Sequence, residues 1–376
     1  MSKIETRILY IIHYSMIGLF SLFILSMTAL HILSEDQEFS FSERRSLAEL
    51  PIIDLNLVKD ADISAVVEKY LVDHFPSRDY FRSIQAGVEL FLLHRSDIDG
   101  IYSFEGTLFK TEYPLRENKI EQAAELIELL SSTSLRYLNS FYSVIPDKSY
   151  YLPDSIDHPQ LNQTRIEELM NKTIEDSTML KLSSELSVDY YYKTDLHWDQ
   201  LRLPEIASFL ADKMKKNSLG ELPNYEVYQY GPFYGSWHGR WAIDHEPDTL
   251  SWLSNNLLDS AEVYDHYDKR IKNIYELEAL GRPDAYDLFL NGARPLLTIT
   301  ADREASESPN KLYLFRDSFG SSLAPLMLAY YDEIVLIDLR YVSAAALEEL
   351  IDFTPGADAL FLFSSMTLNN SDMLKR

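Results

Sequence analysis

The chain has 376 residues, 46% of them apolar and 25% charged, enough for a membrane segment plus one large domain or two small ones. Lys and Arg number 34 against 59 Asp and Glu, a net charge of -25; a surface that acidic repels phosphate backbones and excludes nucleic acid as a partner. There is no cysteine, which removes disulfides, thiolate metal sites and a cysteine nucleophile together.

From Ile8 to Leu33 the chain carries no Asp, Glu, Lys or Arg, and about 20 apolar residues suffice to cross a bilayer. Lys3 and Arg7 precede the stretch, while Glu35, Asp36 and Glu38 follow it. The positive-inside bias predicts a cytoplasmic tail over 1–7, a transmembrane anchor over 8–33 and everything else outside. A cleaved signal peptide is the competing reading, but the stretch is longer than an ordinary signal core and no small-x-small cleavage site follows. The expected layout is a single-pass protein of the cell membrane, with a stem over 34–60 and an extracytoplasmic domain over 61–376.

Between Ala61 and Phe91, apolar positions Ile63, Val66, Val67, Tyr70 and Leu71, then Ile84, Val88 and Phe91, recur at helical spacing. Pro76, inside DHFPSRDYF (73–81), breaks them into two helices, with His74 expected to be structural. Asp99-Gly100 opens a predicted hairpin with Ile101, Tyr102, Leu108 and Phe109 on short strands around Gly106. Residues 120–130 form an amphipathic helix. Tyr137 to Ile145, ending at Pro146-Asp147, reads as a buried strand running into a turn. A helix over 165–174 and a second strand over 188–192 follow.

The next residues, KTDLHWD (193–199), hold an aspartate and a histidine two apart. In an extended segment such positions share a face, so Asp195 and His197 can point into one site. A carboxylate beside an imidazole favours one tautomer and stabilises the imidazolium, as a general base requires. The bland alternative is a half-buried histidine satisfied by a neighbour. With a helix over 203–215 behind it, the pair would lie beyond the carboxyl end of a strand, where ligands of parallel α/β sheets collect.

Residues 225–252 are dense in aromatics without helical period, among them Tyr234 and Trp237 near Gly231, Gly235 and Gly239. Such loops suit stacking on a sugar ring, or make a satellite hydrophobic cluster. His238, Asp244, His245 and Glu246 match no metal-ligand spacing, so no metal is expected. In the C-terminal third, strand 311–315, helix 318–330, strand 333–338, helix 344–351 and strand 359–363 alternate, which implies right-handed crossovers and a parallel sheet. Ser318 lies where the first of these strands turns into a helix. Free backbone N–H groups there suit an anionic tetrahedral intermediate. Equally, Asp317 or Ser318 would make an ordinary N-cap.

LYLFRDSFGSS (312–322) resembles the G-D-S block of the SGNH hydrolase superfamily, with Arg316 in place of the glycine. Together with TDLHW (194–198) it is similar to the DHHW family and the related periplasmic O-acetyltransferases of alginate biosynthesis. FSERRSLAELP (41–51), DHFPSRDYF (73–81), SVIPDK (143–148), FLNGARPLLTI (289–299), IDLRY (337–341) and TLNN (367–370) fall in the family's order. Leu196 stands where DHHW members carry a second histidine. The resemblance implies an α/β fold, an SGNH-hydrolase-like parallel sheet flanked by helices behind one transmembrane helix. It also implies a catalytic Ser318, His197 and Asp195, and an oxyanion site from the Ser318 N–H with Gly292, Asn291 or Asn370. Tyr234 and Trp237 are the candidate sugar-binding aromatics. The implied activity is O-acetyl transfer to a cell-surface or exported polysaccharide through an acetyl-serine, without a cofactor, the acetyl group coming from a membrane-bound acyltransferase. A carbohydrate acetylesterase would use the same residues, and a non-catalytic glycan-binding or assembly module would keep the fold alone.

Overall fold

The computed structural model describes residues 3–50, 63–153, 155–156, 158–303 and 309–376. The far end of the predicted stem, from Pro51, and the first residues of the predicted domain lie outside them. The chain divides into two compact units, Met1–Arg95 with Ala242–Asp244, and Ser96–Trp241 with His245–Arg376.

In the first unit, α1 (Lys3–Leu33) contains a 27-residue segment, Arg7–Leu33, long and apolar enough to cross a membrane. Its side chains are exposed, which fits a single-pass anchor. Strands β1 (Phe39–Ser40) and β2 (Arg45–Ser46) form a small antiparallel ribbon. Helices α2 (Ile63–Asp73) and α3 (Arg78–Gly87) are separated at Pro76, as the sequence predicts, and Ser77 takes the left-handed conformation (φ 57). Arg45 forms a fork on the Asp73 carboxylate at 2.9 and 2.5 Å, which holds that carboxyl down at about 2. The His74 ring is held by the Ala48 carbonyl at 2.8 Å.

The second unit is built on one eight-stranded sheet. Its strands are β5 (Asn139–Ile145), β6 (Thr178–Met179), β9 (Glu262–Asp265), β10 (Arg270–Lys272), β11 (Leu296–Thr300), β12 (Lys311–Arg316), β13 (Glu333–Ile337) and β14 (Asp358–Ser364), in the order β10-β9-β11-β13-β12-β14-β5-β6. From β13 to β6 the neighbours run parallel, whereas β11, β9 and β10 extend the sheet antiparallel. Strands β12 and β14 read as continuous apolar runs because both their faces are covered. On one face, α6 (Leu203–Lys213) and α7 (Phe319–Met327) pack through Leu203, Ile206, Leu210, Leu323 and Met327 against Leu312, Leu314 and Leu360. On the other, α4 (Glu117–Ser132) and α5 (Gln163–Thr173) pack through Ile120, Ile127, Ile166 and Met170 against Tyr313, Phe315 and Phe361.

Two hairpins stand apart from the sheet, β3 (Ile101–Phe104) with β4 (Thr107–Lys110), and β7 (Glu226–Phe233) with β8 (Asp248–Ser254). The first turns at Glu105-Gly106, where both residues have positive φ.

The structure corrects an expectation about the segment before the Asp195–His197 loop. Residues 188–192 are not a sheet strand: Val188–Tyr190 is a 3-10 turn, and Tyr191 makes only an isolated bridge to Trp198. Their alternation of apolar and aromatic residues reflects burial against the helical layer, where Tyr191 and Trp198 join the core. The Asp195–His197 segment is therefore a loop folded on itself.

Leu360 lies at the centre of the sheet, fully buried and flanked by Leu314 and Phe141. Leu360→Ala is expected to cost about 3 kcal/mol, measured as a lower urea midpoint with unchanged slope.

Candidate active site

Strand β12 ends at Arg316 and α7 begins at Phe319, so Asp317 and Ser318 form the turn at the carboxyl edge of the sheet. The helix after β12 packs on one face, and the turns after β13 pack Ala344 and Leu347 on the other. This makes the β12–β14 crevice a topological switch point, where side chains at strand ends meet. The buried Asp317 carboxylate spans it. One oxygen accepts the Phe319 N–H at 3.1 Å, and the other accepts the Ser364 N–H and the Thr367 hydroxyl, each at 2.8 Å. Asp317 thus satisfies the first-turn donor of α7. The Ser318 side chain makes no cap; its hydroxyl donates to His197 Nε2 at 2.7 Å.

Arg316 occupies the position where a small residue is expected and is wholly buried. Room comes from the other side of the turn, since a Cβ on Gly320 would lie 2.6 Å from Arg316 Cβ. The nearest acceptors of Arg316 are Asp338 Oδ2 and the Asp317 carbonyl, both at 3.5 Å.

The loop carrying Asp195 and His197 closes on itself: the Tyr192 N–H donates to the His197 carbonyl at 3.0 Å, and the Asp199 N–H to the Tyr190 carbonyl at 2.7 Å. Asp195 is fully buried and accepts three N–H groups. Its Oδ1 takes the His197 backbone N–H at 3.0 Å and His197 Nδ1–H at 2.6 Å, and its Oδ2 takes the Ser236 N–H at 2.6 Å. With Nδ1 donating to the carboxylate, Nε2 presents its lone pair to Ser318.

The imidazole is also held by its faces. Tyr286 stacks on it at 3.9 Å and 8°, and Phe319 lies tilted at 5.1 Å. The Tyr286 hydroxyl donates to Ser322 Oγ at 2.8 Å, an oxygen that also receives Trp198 Nε1–H at 2.8 Å. Tyr286 escapes the sequence reading because it is one of 25 tyrosines and sits in a 3-10 turn, Ala285–Leu288, with no spacing to mark it.

Beneath the loop, Asp248 at the start of β8 accepts the Lys193 and Thr194 N–H groups, each at 2.7 Å, and the Thr194 hydroxyl at 2.5 Å. Gly235 completes the clamp with its N–H 2.7 Å from Thr194 Oγ1. A Cβ there would lie 2.3 Å from the Thr194 carbonyl carbon, so only glycine fits.

The remaining candidates lie in other settings. Gly292 (φ 76) donates its N–H to the Phe289 carbonyl at 3.2 Å and packs against Asp287. Asn291 accepts from Arg282 at 3.0 Å. Asn370 accepts from Arg116 and donates to the Met366 carbonyl at 2.9 Å. Among the described residues, none of the three is hydrogen-bonded to the Ser318–His197 pair. Trp237 is buried with Lys148 Nζ 4.3 Å above its ring, which leaves no face for a sugar. Tyr234 is 42% exposed, its ring 4.4 Å from that of His238. Much of the aromatic stretch is core: Phe233, Leu250 and Trp252 cluster with Tyr192, Tyr286 and Phe289. Leu196, at the second histidine position of the DHHW pattern, packs against the main core.

No family model and no curated protein sequence matches the chain. Among solved structures, it is similar to a DHHW family protein from Eubacterium siraeum, with 17% identity, a TM-score of 0.56, and coverage of 73% of this chain and 94% of that one. It is also similar to Bacillus cereus PatB1, with 18% identity, a TM-score of 0.56, and coverage of 71% and 96%. A structure of PatB1 with a sulfonyl adduct gives 18% identity, a TM-score of 0.57, and coverage of 73% and 98%. At these identities the likeness is one of fold, and that fold is the α/β architecture of a DHHW family protein.

Gly235→Ala is expected to cost about 3 kcal/mol or more, because neither backbone can yield without moving the other. Urea denaturation checks this.

Proposed function

We propose that this protein is an O-acetyltransferase acting outside the cytoplasmic membrane, which moves an acetyl group through Ser318 onto a hydroxyl of a cell-surface or exported polysaccharide. The observation that carries the reading is the continuous relay Asp195–His197–Ser318, with bonds of 2.6 and 2.7 Å, the second joining side chains 121 residues apart.

His197 Nε2 takes the Ser318 proton as Oγ attacks the acetyl carbonyl carbon, and Asp195 balances the resulting imidazolium. The Ser318 N–H is placed to donate to the oxyanion. The intermediate collapses when the donor oxygen leaves with the proton from His197, and acetyl-Ser318 remains. A sugar hydroxyl then gives its proton to His197, attacks the acetyl carbon, and Ser318 leaves and recovers the proton. Each role requires a fixed imidazole, which Tyr286, Phe319 and Asp195 supply. Lys3 and Arg7 ahead of the apolar segment support an N-terminus inside and the catalytic unit outside. Acetyl-CoA is cytoplasmic, so a membrane-bound acyltransferase is the proposed supplier of acetyl groups. The sulfonyl adduct carried by PatB1 supports a sulfonyl fluoride as probe, since such electrophiles are captured by activated nucleophiles.

A sulfonyl fluoride is expected to label the full-length protein at Ser318, located by peptide mass spectrometry, and Ser318→Ala to abolish labelling. Asp195→Asn is expected to slow labelling about 10³- to 10⁴-fold by removing the tautomer control. Given an acetyl ester donor and a polysaccharide, the protein is expected to yield O-acetylated polymer; free acetate alone would identify an esterase. Absence of wild-type labelling would remove the catalytic reading.

A further inference from the structure

The relay leaves a buried lysine beside it unused. Lys148 opens the 3-10 turn Lys148–Tyr151 after β5, and it is 1% exposed. Its ammonium lies under the catalytic loop and donates to three backbone carbonyls, Tyr192 at 2.7 Å, Lys193 at 3.2 Å and Asp195 at 2.8 Å. An ammonium has three protons and no acceptor, so all its donors are spent on a stretch of four residues. Trp237 and Phe109 close over it at 4.3 and 5.5 Å. Carbonyls converging on one point repel each other unless a cation sits between them. We infer that Lys148 is a positioning residue: its ammonium bends the 192–195 backbone around itself and thereby aims Asp195 and His197 at Ser318.

As a functional claim this rests on the proposed acyl transfer. The charged groups around Lys148 are Asp147 from its own turn, Asp195 from the loop and Asp248 from β8; each favours the ammonium, but burial outweighs them and lowers its pKa to about 7. Asp147, half-buried beside it, gives the largest of these three supports and has its own pKa pushed up by desolvation. The aiming cation is fully present below about pH 7 and is lost above it. The neutral amine keeps two donors and turns a lone pair toward a carbonyl.

The test compares wild type, Lys148→Met and Lys148→Arg as full-length proteins, by two readouts across about pH 6 to 9. One is the rate of Ser318 labelling by a sulfonyl fluoride; the other is the NMR resonance of the His197 Nδ1 proton bonded to Asp195. Lys148→Met is expected to slow labelling about 100-fold, the scale of a misplaced reacting group, and to shift or lose the resonance. Wild type is expected to lose both above about pH 7, and Lys148→Arg, whose guanidinium stays charged, to keep its signals over that range. A Lys148→Met protein with wild-type resonance, rate and pH profile would overturn the inference. If wild type is not labelled at all, acyl transfer fails, and the resonance comparison still decides whether Lys148 aims the pair. If Lys148→Met does not fold, the wild-type and Lys148→Arg pH profiles decide, and identical profiles would overturn it.

Discussion

The Asp195 carboxylate is the constraint on which the site depends. A charge buried to this degree persists only when its oxygens are occupied by donors. Here three N–H groups supply them, two from His197 and one from Ser236. Each donor needs its own piece of architecture. The His197 donors require the loop to double back, which Lys148, Asp248 and the Tyr191–Trp198 bridge enforce. The Ser236 donor requires a second segment of the chain to approach within contact of Thr194, which only glycine at 235 permits. The loop, the β7–β8 hairpin and the turn after β5 are thus held by one ion's need for hydrogen bonds.

The Ser318 side is built independently, from the sheet. Asp317 plays a role parallel to that of Asp195, its oxygens filled by Phe319, Ser364 and Thr367. By tying the end of β12 to the end of β14, it fixes the start of α7 and so the direction of the Ser318 hydroxyl. The two halves meet through the buried Trp198–Ser322–Tyr286 bonds as well as through the Ser318–His197 contact. Removing the side chain of Asp195, His197 or Ser318 would leave this lower layer intact.

Much of this was legible in the sequence because it was local. Apolar runs gave β5, β12, β13 and β14 nearly to the residue, Pro76 marked the helix break, and Ser318 was placed at a strand-to-helix turn. The choice between Asp317 and Ser318 as cap could not be read, since both residues suit the position; a partner 121 residues away decides it. Residues 188–192 looked like a strand because burial against helices produces the same apolar and aromatic text as burial in a sheet. Tyr286 and Lys148 were invisible as parts of the site, for their work is done through a stacked ring and through backbone carbonyls, and neither leaves a spacing. For Trp237 the choice between sugar stacking and a satellite cluster stayed open for a related reason: composition shows an aromatic ring but not that a lysine covers it.

The face-on packing of Tyr286 against His197 has a kinetic consequence for the proposed transfer. An imidazole pinned between a ring and a carboxylate cannot swing to serve two acceptor positions, so a single nitrogen must handle every proton from one side. Donor and acceptor therefore have to visit the same ground in turn, the spent donor departing before the sugar arrives. Under the proposed transfer, turnover would be ping-pong, and crowding by one substrate would inhibit the entry of the other.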